Sequence, residues 1–312
     1  MIELLEVYGP CISTASLQEW PRHRKVLAAP FNETAMKFVW NESLEQTRQM
    51  LAIWEEASST AKGIPSVAKD MRTLSLNVLA ATGFRRCFPF TSSSDEDNDT
   101  PSYRDALATV LDNVILLMLI PYRYLQHSIL PQSLRRIGQA GAQFKKQMES
   151  MLDEELAASQ RGEPGAGGLM TSFVRALNVR KSQHGASGKM QGLSKEEIFG
   201  NIFVINFAGH DTTANTLAFA MYLLAVQPEV QEWVAEEVKG VVSEEGEGCE
   251  YSRMFPRLIR CRAVLVSVPF HSHVHQLTLG SWRPSVSTHR SWHSQDTLTP
   301  PLSPFRSATA PS

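Results

Sequence analysis

The sequence is poor in cysteine, and none of its four cysteines forms a C-x-x-C pair. Cys11, Cys87, Cys249 and Cys261 therefore signal neither a structural zinc site nor a disulfide framework, and such sparse use fits a reducing, intracellular compartment. The opening MIELLEVYGP lacks a basic region followed by an apolar one, so it reads neither as a secretory signal nor as a membrane anchor. No apolar run reaches the ~18 to 20 residues that a spanning helix needs. The longest runs, around Val110 to Ile120 and Ile202 to Ala208, read as buried helices. An excess of one charge is also missing: the net charge is -2, with 27 Lys+Arg against 31 Asp+Glu up to residue 266 and 3 against 1 beyond it. That balance excludes a nucleic-acid surface built on net basic charge.

What is present is enough apolar material for a core, 43% of 312 residues, which fits one large domain or two small ones. Stripes at helical spacing dominate. Met36, Trp40, Leu44, Thr47, Leu51 and Trp54 step by three or four residues, with Asn32 as a natural N-cap. Val67, Met71, Leu74, Val78 and Ala81 repeat the period and stop at Gly83. TSSSDEDND follows as a solvated loop, a helical region lies between Pro101 and Pro121, and a longer helix follows Pro131. After two Gly-rich breaks, Ser194 with Glu197 forms a capping box that opens a helix of roughly thirty residues, about 45 Å long. Pro228 then sits at the first position of another helix. The reading is a mostly α fold of about eight helices up to residue 265.

The last 46 residues, from Ser267, contain ten Ser, five Thr, six Pro and five His, with no Glu or Lys and no sustained period. Residues 266–312 read as a low-complexity, disordered tail. Within it His271, His273 and His275 alternate, and on a strand they would share a face; adventitious metal binding is the expected reading there.

Chemistry is concentrated in the long helix, IFGNIFVINFAGHDTTANTLAFAMYLLAVQ, where Ala208, Gly209, His210, Asp211, Thr212 and Thr213 interrupt an apolar run. An ionisable Asp and adjacent hydroxyls inside a buried helix are costly unless partnered. Gly209 removes a side chain so that a flat ligand can approach, and Thr212 is placed to bond the carbonyl of Ala208 one turn back. The bland alternative is a set of satisfied core polars at a kink. A second feature is EWPRHRKVLAAPFNE, in which Trp20 and Arg24 lie four apart on one helix face.

AGHDTT resembles the oxygen-activation motif of the cytochrome P450 family, and Trp-x-x-x-Arg resembles the helix with which that family holds a haem propionate. LSLNVLAATGFRRCFPF, PEVQEWVAEEV and FPRLIRC are similar to fungal members, and the likeness spans about residues 6 to 265. It implies a partial cytochrome P450-like helical domain over residues 1–265. It implies a haem b cofactor, insertion of one oxygen atom into a small organic substrate, and electrons from an NADPH-dependent reductase. By the same resemblance Trp20 and Arg24 hold the propionate, Ala208, Gly209 and Thr212 face the cofactor, Thr212 bonds the bound oxygen and Asp211 delivers protons. Phe203 and Asn206 are implied substrate contacts.

The pattern breaks after Cys261. The family's Glu-x-x-Arg pair aligns with Ser267 and Phe270, and the loop that carries the thiolate ligand of the iron has no counterpart. Cys87 and Cys261 are expected within helices that match non-ligand parts of the family, so the metal-ligand set is empty. Without a thiolate the electron push for O–O cleavage is missing, and the chain as written is expected to be inactive and not to bind haem. Family members are usually held at the endoplasmic reticulum by an anchor that would precede residue 1, so the expectation here is an intracellular location, cytoplasmic or unknown. In-frame Val266–Ser267 is what an unspliced intron donor would encode, so the residues from Val266 are expected to be translated intron or a shifted frame. The reading from another class is a non-catalytic helical fragment or interaction module.

Overall fold

The computed structural model describes residues 2–59, 63–90, 103–163, 168–182, 191–245 and 250–274. The chain divides into two units, Met1–Pro269 and Phe270–Ser312. The first holds α1 (Trp20–Ala28), α2 (Glu33–Ser59), α3 (Val67–Phe84), α4 (Tyr103–Asp112), α5 (Val114–Leu119), α6 (Tyr122–Leu125), α7 (Gln132–Gln160), α8 (Gly168–Ser182), α9 (Lys195–Val226), α10 (Pro228–Glu245), α11 (Tyr251–Met254) and the start of α12 (Ile259–Val274). Among the described residues there is no strand, and no helix is long and apolar enough to cross a membrane. Of the second unit only residues 270–274 are described, and their backbone is helical.

Local chemistry explains the boundaries. Asn32 accepts the amide of Ala35 at 3.0 Å and starts α2. Ser66 accepts the amide of Lys69 and starts α3. The capping box of α9 is complete: the hydroxyl of Ser194 takes the Glu197 amide at 3.1 Å, and the Glu197 carboxylate takes the Ser194 amide at 2.7 Å. α3 passes Gly83 and ends at Arg85, whose φ of 54° is the left-handed turn, with its amide bonded to Ala81 O at 3.0 Å. The region between the two prolines is two helices, broken at Asn113, whose side-chain amide bonds Thr109 O. The count therefore exceeds the eight expected, because short helices carry too few residues to show a period.

The core is built around the first half of α9. Ile198, Ile202 and Phe203 are fully buried, packed with Phe144 and Met148 of α7 and Phe173 of α8. The N-terminal segment closes over them: Tyr8 stacks on Tyr122 at 5.4 Å and meets Phe144 and Phe203 at 5.5 Å each. This crossing requires two glycines. A Cβ on Gly200 would lie 2.2 Å from Gly9 O, and Gly9, at φ +143°, would place a Cβ 2.3 Å from Glu196 O.

Two expectations near the C-terminal side are corrected. α12 runs through Val266 and Ser267, where the tail was expected to begin. Its first amides are held in trans, Arg260 N and Cys261 N donating to the carboxylate of Glu237 at 2.8 and 3.1 Å, and that capping propagates the helix past the composition change. The backbone at His271 and His273 is consequently helical, not the strand that an alternating metal face needs. The TSSSDEDND loop, the GASGKMQG break before Gln191, Cys249 and the tail beyond Val274 lie outside the described residues.

Candidate functional site

Each turn of α9 around the interrupted run is tied differently. The Thr212 hydroxyl donates to Ala208 O at 2.6 Å, as its spacing requires. One turn on, Thr216 repeats the bond to Thr212 O at 2.8 Å. From α3, the Ser75 hydroxyl lies 3.0 Å from His210 O and 3.4 Å from Gly209 O. The carbonyls of Ala208, Gly209 and His210 thus all face a hydroxyl, from α9 itself on one side and from α3 on the other.

The face of α9 that carries Ala208 and Thr212 is open. Continuing at steps of three and four, Asn215, Phe219, Tyr222 and Val226 are all exposed, so one stripe of the helix runs uncovered to its C-terminus. Asp211 lies beside that stripe. Its Oδ1 is 3.3 Å from Nε of Arg72 on α3 and 3.5 Å from Nδ1 of His210, distances without hydrogen-bond geometry. Burial pushes His210 below its ordinary value, and the neighbouring Asp211 only partly offsets this. Arg72 is therefore the cation that Asp211 faces, shared at 3.9 Å with Asp112 of α4.

Gly209 differs from its expected use. A Cβ there would point at Leu79 of α3, 3.4 Å away, so this glycine belongs to a helix contact and not to the open stripe. Phe203 and Asn206 are also corrected as substrate contacts. Both are 0% exposed, Phe203 in the aromatic cluster and Asn206 bonded to Ile202 O at 2.8 Å, on faces of α9 that are packed into the core.

Trp20 and Arg24 stand together on an outer face of α1, Trp20 46% exposed and Arg24 exposed. The residues that fix α1 are the ones between them. Arg22 forks onto Glu197 at 2.5 and 2.8 Å and reaches Gly192 O at 2.7 Å. His23, buried, meets Asn201 at 3.0 Å through Nδ1. Sequence reasoning missed Arg22, His23 and Asn201: it marked Glu197 only as the acidic member of a capping box, and the contacts to α1 join residues more than 170 positions apart. α1 is thereby anchored near Asn201, roughly 16 Å of helical rise before Thr212 at about 1.5 Å per residue.

A haem needs partners for its propionates, a lined distal face and an iron ligand. Trp20 with Arg24 fits the first, and the open Ala208–Thr212 stripe fits the second. The described cysteines do not supply the third. Cys11 is fully buried under the N-terminal segment. Cys87 lies past the end of α3, not within a helix as expected, because Arg85 terminates that helix; burial, then Glu42, raises its thiol. Cys261 on α12 is pushed up to about 11 by burial and by Glu237, the opposite of a thiolate environment. Among the described residues no group of three His, Cys, Asp or Glu side chains is placed to hold a metal.

A helical fold among the described residues, crossed by one long helix that carries Ala-Gly-His-Asp-Thr-Thr, is what comparison with known proteins recognises. The cytochrome P450 family model matches residues 8–255, and the chain belongs to that family. It is 29% identical over 276 residues to the phomenoic acid biosynthesis cluster cytochrome P450 monooxygenase of Leptosphaeria maculans, covering 84% of this chain and 46% of that protein. With the cytochrome P450 monooxygenase prx9 of Penicillium rubens it shares 30% identity over 255 residues, 78% of this chain and 42% of the other. The solved haem domain of cytochrome P450DA superposes with a TM-score of 0.60 at 21% identity, covering 85% of this chain and 53% of that one. The chain thus spans a little under half the length of these curated relatives.

Proposed function

We propose that this chain supplies the oxygen-facing helix and the propionate-binding helix of a haem-dependent monooxygenase acting on a small organic substrate with electrons from a reductase. The observation that carries the reading is the stripe on α9, where the Thr212 hydroxyl is set by Ala208 O and opens outward beside the Asp211 carboxylate. When bound through a thiolate, haem supplies dioxygen activation. Around it Thr212 would place a hydroxyl, Asp211 would offer a carboxylate for proton delivery, and Trp20 with Arg24 would hold a carboxylate through the indole N–H and the charged guanidinium fork.

None of the described cysteines is placed as an iron ligand, and on this reading the chain by itself is expected neither to form thiolate-bound haem nor to turn over substrate. Carbon monoxide difference spectroscopy on the purified, haem-supplemented chain tests this: no thiolate-type band is expected. A chimera joining residues 1–265 to the C-terminal half of the Penicillium rubens relative is expected to gain one. A band from the chain alone, or none from a folded chimera, overturns the reading.

A second reading rests on the same stripe. Phe219 (52% exposed), Tyr222 (50%) and Val226 (69%) make an apolar edge on α9 that suits a helical interaction module.

A further inference from the structure

We propose that Glu197 is the positioning residue of this site: one buried carboxylate sets the rotation of α1 on α9 and so decides that Trp20 and Arg24 are presented outward as a pair. The proposal rests on the reading of that pair as a carboxylate-binding face.

α1 has little else to hold it. It has nine residues, below the ~12 to 15 at which an isolated helix becomes even marginal in water, and its N-cap, Glu19, makes no side-chain capping bond. Only His23 and Leu27 are buried. Against this, the contacts converging on Glu197 are dense. Arg22 binds both carboxylate oxygens in a fork. Arg180 of α8 reaches Oε2 at 3.0 Å, and the Ser194 amide reaches it at 2.7 Å. His23 Nε2 lies 3.5 Å from Oε1. One turn along α9, Asn201 donates to Glu197 O at 2.6 Å, meets His23 Nδ1, and accepts the Ile12 amide at 2.9 Å. One carboxylate therefore ties α1, α8 and the start of α9 together.

The geometry of α1 turns this anchor into a pointer. Residues two apart on a helix lie about 200° apart around its axis. With Arg22 drawn inward to Glu197, Trp20 on one side and Arg24 on the other both fall on the opposite face, where they are exposed. A helix fixed by Leu27 alone would be free to roll about that point, whereas the Arg22 fork and the His23–Asn201 contact define a single rotation. Electrostatics agree with the geometry. Burial alone would raise the Glu197 carboxyl, but hydrogen bonds from Arg22, His23 and Ser194 outweigh it and hold the group well below the ordinary carboxylate range. The titratable and charged groups facing it are Arg22 and His23 from α1 and Arg180 from α8, with Glu19 beside Arg22.

The test is hydrogen exchange by mass spectrometry on the full chain, normalised for intrinsic rates. Glu197→Gln keeps the capping box, which accepts Gln as well as Glu, but removes the charge. Arg22→Gln leaves the cap and the Arg180 contact untouched. Either substitution is expected to speed exchange at His23–Ala28 about tenfold while α3 and α7 stay within about twofold. Arg22→Lys keeps charge without the fork and is expected to give about threefold.

The pH profile supplies a readout that a general packing role would not move. The folded value of Glu197 is depressed, so its contribution is complete above the ordinary value of 4.5 and is lost as pH falls through the lower folded value. Wild-type protection of α1 should fall in that acid window, and Glu197→Gln should abolish the step. The proposal is overturned if Glu197→Gln leaves α1 within about twofold of wild type, or loosens α3 and α7 as much as α1. Arg24→Gln separates the two layers of the argument. It is expected to leave α1 protection unchanged, and loss of protection there would contradict the outward-facing role of Arg24 while leaving that of Glu197 standing.

Discussion

Single residues divide into those whose chemistry shows in the sequence and those whose direction does not. Thr212 belongs to the first kind, because a hydroxyl four residues after a carbonyl in a helix has one obvious acceptor, and it finds it. Gly209 belongs to the second. Its absence of a side chain reads as room for a ligand, yet the space faces Leu79. This distinction makes a prediction: Gly209→Ala places its methyl at an ordinary contact distance and gains helix propensity, so it should stabilise the chain by about 0.5 to 1 kcal/mol. Thermal or urea unfolding checks it, and destabilisation would mean that the helix contact is tighter than described. Asp211 shows the same limit. The sequence announces a carboxylate in a helix, but Arg72, the cation it faces, and Asp112, the second carboxylate on that cation, lie about 100 residues or more away from it and meet there only through the packing of α3 and α4.

Among the helices, periodicity and caps located α2, α3, α7, α9 and α10, since each buries a stripe long enough to display a 3.6-residue repeat. The one-turn elements α6 and α11 escaped notice because a single turn of helix has no period, and α5 reads together with α4 as one helical region. α12 was expected only around Cys261, through the resemblance, since its N-terminus is capped by Glu237 from a different helix. Close approach between elements was equally hidden. Gly200 looks like any glycine in a helix, but the N-terminal segment crosses it at backbone contact. Gly200→Ala should therefore cost about 1 to 3 kcal/mol through forced backbone movement, opposite in sign to Gly209→Ala in the same helix. Measuring the two unfolding midpoints side by side checks the contrast, and equal shifts would refute it.

For the molecule as a whole, the family and the α class were legible from two ordered motifs, since a fold that reuses its site reuses the residues that build it. The way the site is held was not, because Arg22, His23, Glu197 and Asn201 act through convergence across some 180 residues of chain. An uncovered apolar stripe on the C-terminal half of α9 also has a consequence at this scale. Unpartnered apolar surface promotes association, so sedimentation should show concentration-dependent self-association that Phe219→Ser with Val226→Ser diminishes; a strictly monomeric wild-type chain would exclude the interaction reading.

The proposal to be tested is that α9 and α1 carry the distal and propionate elements of a haem site, with no cysteine among the described residues placed as its thiolate ligand. The carbon monoxide difference spectrum of the purified, reduced, haem-supplemented chain tests it most directly. The account predicts no thiolate-type band, and the appearance of that band from these 312 residues alone would contradict it.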